Sequence, residues 1–227
     1  MSRLRLMLLA GAVAGLGLGA TMAPAMADPL DTTFTVNVWN FTCPDCTIGS
    51  ASQQALPTNP EASGTPLFTN ATYTGAMNFN PSTDTIGAFF TSGGGTGTAG
   101  LLSSGAKLSS GSYNGATDQA TTLMSFAFNI GASTNIIAHD DGISLFADGS
   151  TTNLIPGNSA PTAEVDTDVT LTAGSYTLWY VEANGLPAVL TLNTTPVPEP
   201  GSLALLGTAL AGFGMLGFAA RKRRPTA

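Results

Sequence analysis

The sequence predicts an all-β protein: an antiparallel β-sandwich or jelly-roll-like domain flanked by an N-terminal signal helix and a C-terminal single transmembrane helix. Three observations lead there. Between the two ends, short β-branched or aromatic runs alternate with Gly- and Asp-rich turns. Only 9% of residues are charged, and Thr, Ser, Gly and Asn abound, a texture that fits an extracellular β protein better than a cytosolic enzyme. Outside the two ends no segment shows a convincing helical period.

The first element is the segment 1–27. Arg3 and Arg5 precede an apolar stretch at 6–20, and Ala25-Met26-Ala27 is a small-x-small cleavage site, so the segment reads as a secretory signal cut before Asp28.

Residues 28–195 form the second unit, long enough for one domain with a hydrophobic core. It holds thirteen of the fourteen acidic residues against one lysine, Lys107, a net charge of −12. A surface of that sign repels phosphate backbones and excludes nucleic acid as a natural partner. Divalent cations and neutral sugars remain open to it.

Strands are expected at 34–41, 67–79, 85–90, 123–130, 136–138, 143–147, 169–171, 176–182 and 188–193, divided by turn signals such as Asp141-Gly142, Asp148-Gly149, Ala173-Gly174 and Asn184-Gly185. The run 91–115, rich in Gly, Ser and Thr, reads as a long exposed loop with short edge pieces. Cys43-Pro44-Asp45-Cys46 is a C-x-x-C in an exported chain. A local disulfide between Cys43 and Cys46 is the expectation, because a redox dithiol needs a helix N-terminus or nearby cation that this sequence does not offer.

The last element is 196–227. Pro196, Pro198 and Pro200 keep the chain extended, 201–220 is twenty residues without a charge, and Arg221, Lys222, Arg223 and Arg224 end the run. At roughly 1.5 Å per residue such a helix spans about 30 Å, the thickness of a bilayer core. The basic cluster should remain cytoplasmic, leaving the acidic domain outside. Pro198-Glu199-Pro200, an apolar helix and a basic tail, in that order, resemble the PEP-CTERM sorting signal of Gram-negative bacteria. The resemblance implies processing by an exosortase, a membrane cysteine transpeptidase, and delivery to the cell envelope or to an extracellular polysaccharide (biofilm) matrix. A rigid linker that leaves the domain on the membrane is the alternative.

A second resemblance lies in the later half. Ile136-Ile137-Ala138-His139-Asp140-Asp141-Gly142, Asp148-Gly149, Leu171-Thr172-Ala173-Gly174-Ser175-Tyr176 and Tyr180-Val181-Glu182-Ala183-Asn184-Gly185 resemble the PA14 β-sandwich pattern over 136–193. It implies that Asp140 and Asp141 ligate Ca²⁺, which in turn holds sugar hydroxyls. Asp148, Asn153 and Asn158 are further oxygen donors of the kind calcium takes. Ordinary turn chemistry is the alternative for the Asp-Asp-Gly, since Asp bonds its own backbone and Gly accepts positive φ. Glu164, Asp166 and Asp168 share one face of an extended segment and read as solvated.

Two function classes emerge. One is an exported noncatalytic structural or adhesive protein with calcium-assisted glycan binding. The other is a polysaccharide hydrolase, which would need a carboxylate pair across a cleft, drawn from Asp140, Asp141, Asp148, Glu164 and Glu182. His139 with Ser144 as nucleophile lacks a Gly-x-Ser-x-Gly elbow. Trp39, Trp179, Tyr176 and Tyr180 sit in strand-like runs and read as core or strand face.

Overall fold

The structure is a computed structural model that describes residues 27–43, 49–110 and 119–197. The signal segment up to residue 26, Cys46, the Pro198-Glu199-Pro200 motif, the apolar segment 201–220 and the tail from Arg221 to Arg224 lie outside the described residues. Among the described residues, no helix is long and apolar enough to cross a membrane.

The strands are β1 (Asp28–Pro29), β2 (Asp31–Cys43), β3 (Phe68–Ala76), β4 (Asn78–Phe79), β5 (Thr96–Gly97), β6 (Gln119–Ile130), β7 (Ser133–His139), β8 (Ile143–Ala147), β9 (Val165–Leu171), β10 (Gly174–Glu182) and β11 (Leu190–Pro196). They make two sheets, and every pairing within them is antiparallel. One sheet runs β1-β11-β7-β9 with β4 also on β11; the other runs β5-β3-β2-β6-β10-β8.

Period-two patterning explains why the sheets stack. In β2, Phe34, Val36 and Val38 are fully buried while Thr33 and Thr35 are exposed. Phe126 in β6 and Leu178 in β10 point the same way, and Ile137 in β7 with Leu190 and Leu192 in β11 meet them from the other sheet in one cluster. Each such side chain contributes about 1.5–3 kcal/mol on burial. Phe34, Tyr73, Phe79 and Phe126 add ring contacts at 5.1–6.3 Å, in the range where aromatic pairs attract.

One expected strand is a helix. Residues 85–90 contribute to α1 (Ile86–Ser92), capped by Thr85, whose side chain accepts from the Ala88 N–H at 3.2 Å. Ile86, Phe89 and Phe90 fall at i, i+3 and i+4 and are all buried, whereas a strand would put Phe89 and Phe90 on opposite faces. Phe89 lies against Phe79 at 4.7 Å and stacks on Tyr180 at 5.6 Å. The segment after it is also more built than a loop. It carries β5 and a short helix, α2 (Ala99–Leu102), and buries Leu101 and Leu108 completely.

Candidate functional site

Asp140-Asp141-Gly142 is the point where the chain leaves β7 in one sheet and enters β8 in the other. Gly142 is there because backbone packs on backbone: an added Cβ would lie 2.1 Å from the Ser159 carbonyl oxygen. Its φ is not positive, unlike those of Gly149 (71°) and Gly185 (95°), so the turn rationale holds for those two glycines and not for Gly142.

The two aspartates have different surroundings. Asp141 is fully buried; its Oδ1 accepts from the Thr162 N–H at 3.2 Å, and its Oδ2 accepts from the Ala183 and Asn184 N–H groups at 2.8 and 3.1 Å. It ties the β9 approach and the end of β10 to the crossover. Asp140 is 4% exposed, and its Oδ1 has no hydrogen-bond partner. Burial first, and then the nearby Glu164 carboxylate, push its carboxyl up to about 6, against a bond from the Glu164 backbone that pulls it down.

Beneath them lies a polar chain that sequence reasoning did not assemble. Ser109 Oγ accepts from the Gly185 N–H at 2.9 Å and donates to Glu182 Oε1 at 3.0 Å. Tyr180 Oη bonds Glu182 Oε2 at 2.7 Å and the Asp140 carbonyl. The signal was available: Tyr180 and Glu182 are two apart on one strand and so share a face. Burial, then Asp141, push Glu182 well above the usual carboxylate range, and burial, then Glu182, do the same for the Tyr180 phenol. Tyr180 has one hydroxyl proton for two acceptors; a protonated Glu182 relieves that shortage by donating to Tyr180 Oη.

His139 ends β7 as a buried strand-end residue, with Nδ1 on the Asp141 carbonyl at 2.6 Å and Nε2 on Thr167 Oγ1 at 2.9 Å. Burial lowers its pKa. Ser144 is buried and donates to the Ala55 carbonyl, away from His139. Cys43 is buried at the end of β2.

The remaining oxygen donors are scattered. Asp148 lies past the far end of β8, a strand about 16 Å long at roughly 3.3 Å per residue. Asn153 Oδ1 is occupied by the Leu145 and Ile155 N–H groups, both at 3.1 Å, and Asn158 donates to the Ile155 carbonyl at 3.3 Å. Asp166 and Asp168 are exposed on the outer side of β9, as expected of a solvated face. Trp39 and Trp179 stack on each other at 5.5 Å with 20° between rings, on the outer side of the six-stranded sheet.

Calcium takes six to eight oxygens. Asp140 Oδ1 suits that role, while both Asp141 oxygens are already engaged. Among the described residues, no three His, Cys, Asp or Glu side chains gather as a metal-binding group. Any cation at Asp140 would therefore draw its other ligands from Glu164, backbone carbonyls, water or a sugar.

No known protein family matches this sequence, and no curated protein is similar to it. Among solved structures, the chain is similar to a PA14 sugar-binding domain from an RTX adhesin, with 15% identity, a TM-score of 0.43, and coverage of 72% of this chain and 88% of that one. It is also similar to the PA14 domain of the antifreeze protein MpAFP, with 10% identity, a TM-score of 0.38, and coverage of 74% and 84%.

Proposed function

We propose that this is an exported, noncatalytic protein of the cell envelope or extracellular matrix that associates with polysaccharide, with Asp140 as the group that takes Ca²⁺. The observation that carries the calcium reading is the buried Asp140 Oδ1 without a partner: an oxygen in that position has either a proton or a cation as its natural complement. Asp141 acts differently from the pair that the resemblance implies. It positions Asp140 by fixing the crossover and the end of β10.

The noncatalytic reading is supported by where the carboxylates point. Hydrolysis of a glycosidic bond takes two carboxyl groups flanking the bond. Asp141 and Glu182 are fully buried and hold their oxygens in hydrogen bonds within the protein, and Asp148 is exposed at the far end of β8 from Asp140.

The export and sorting part of the proposal rests on the sequence. A signal segment at 1–27, Pro198-Glu199-Pro200, an apolar helix over 201–220 and the basic residues Arg221 to Arg224 make a precursor held in the inner membrane until an exosortase acts on it. Retention of the protein on polysaccharide extracted from its host, in calcium and in EDTA, tests the functional part. Calcium-dependent retention that Asp140→Asn abolishes is the expected result; retention indifferent to both would remove calcium from the account.

A further inference from the structure

The outer face of the six-stranded sheet carries a trough lined mostly by small polar side chains. The register sets Thr35 beside Ala127, and Ala127 beside Thr177, so that a methyl group is the floor between two threonines. Thr33, Asn129 and Ser175 continue the face one pleat further, and Asp148 stands at its end; together they line a trough of about 280 Å³.

Some of these groups are already spoken for. Thr33 shares a hydrogen bond with Thr74 at 2.9 Å, and Ser175 donates to Asn129 Oδ1 at 2.6 Å. Among the described residues, the Thr35 and Thr177 hydroxyls and the Asp148 carboxylate bond no protein side chain. Further along the same face, outside the trough lining, Trp179 stacks on Trp39. Trp179 follows Thr177 by two residues on the same face, and Ser125, between Asn37 and Trp179 in the ladder, is only 4% exposed.

The lining selects the occupant by chemistry. No cation lines the trough, and the domain carries a single lysine, so an anionic polymer has nothing to pair with. The large exposed apolar side chains, such as Leu67, Ile136 and Leu186, lie outside it, so an apolar protein or lipid face has nothing to bury there. Hydroxyl, amide and carboxylate groups around the Ala127 methyl are what a neutral sugar chain uses: hydrogen bonds for its hydroxyls and a small apolar floor for its C–H face.

We infer that this trough binds a neutral polysaccharide, laid across the strands over Ala127 between Thr35 and Thr177. The inference rests on the carbohydrate reading above but uses a different face and no metal.

The test is electrophoresis of the full chain, in mild detergent, through native gels that contain dextran, hydroxyethyl cellulose or, as an anionic control, alginate, each with calcium and with EDTA. A neutral gel is expected to cut mobility by at least half in EDTA, and alginate to leave it unchanged. Ala127→Trp, which fills the trough from an exposed position, and the double variant Thr35→Val with Thr177→Val should each restore free mobility, with melting temperatures near that of the parent. Asp140→Asn should stay retarded. Parent-like retardation of both trough variants overturns the inference. Should retardation require calcium, vanish in Asp140→Asn and ignore Ala127→Trp, the Asp140 reading stands and the trough falls. Loss confined to the trough variants does the reverse, and free mobility in every gel removes both.

Discussion

Asp140 and Asp141 are consecutive, yet the Asp141 carboxylate accepts three backbone N–H bonds, from Thr162, Ala183 and Asn184, while Asp140 keeps Oδ1 without a partner. One aspartate holds the crossover together, and the other is left with capacity to bind. Their substitutions should separate accordingly.

Asp141→Ala leaves three N–H groups at the crossover without their acceptor. Loss of charge-assisted bonds of this kind costs about 3–5 kcal/mol in total once partial solvation is allowed for. Asp140→Asn removes no bond to Oδ1 and, at pH 5 where Asp140 is largely protonated, should change stability by about 1 kcal/mol or less. Urea unfolding followed by tryptophan fluorescence, with Trp39 and Trp179 as reporters, measures both.

Stability should fall as pH rises through the acid range. Asp140 has a folded value of about 6, and Glu182 lies well above the ordinary range, so both are raised relative to an unfolded chain that ionises near pH 4. Above about pH 4 the unfolded state releases these protons while the folded state keeps them. The stability they contribute is thus full below pH 4 and is lost upward, for Asp140 by about pH 6. Melting temperature recorded from pH 4 to 8 should decline, and Glu182→Gln should flatten the slope, since an amide keeps a donor for Tyr180 Oη and an acceptor for Ser109. A slope that Glu182→Gln leaves intact would assign the effect to other groups.

Gly142→Ala should fail to yield a native protein. A Cβ at 2.1 Å from the Ser159 carbonyl cannot be absorbed by a flexible side chain, because the obstacle is backbone. Gly105→Ala, where nothing lies within 4 Å of the added carbon, is the matched control and should be soluble and cooperative on melting.

Thr85→Ala removes the side-chain cap of α1 and should cost about 1 kcal/mol. A cost near zero would mean that Phe89 and Phe90, held against Phe79 and Tyr180, fix the helix without it.

Processing at the tail is testable on the native protein. Intact mass from the host, with and without its exosortase, should show loss of both termini in the first case and retention of the segment after Pro200 in the second. A tail retained in both hosts would make this a single-span membrane protein.

Much of the sandwich was legible because alternation is a local signal. Phe34, Val36 and Val38 announce a strand by themselves, and Asp148-Gly149 and Asn184-Gly185 announce the turns that separate such strands. Residues 85–90 misled because Ile, Phe and Phe favour either structure; the deciding facts are the Thr85 cap and the need to send Phe89 and Phe90 to one side. The site was legible only in part. Asp140 and Asp141 stood out as a pair, but their division of labour depends on Thr162, Ala183 and Asn184, which reach them from other loops. Ser109, seventy-odd positions before Glu182, offered no local signal at all.

Calcium titration calorimetry on the parent chain and on Asp140→Asn, at pH 7.5 and at pH 5, tests the central claim most directly. The account predicts one site in the parent at pH 7.5, weaker at pH 5 where Asp140 is largely protonated, and no site in Asp140→Asn. Equal heats in the parent and in Asp140→Asn, or no heat of binding in the parent at pH 7.5, would contradict it.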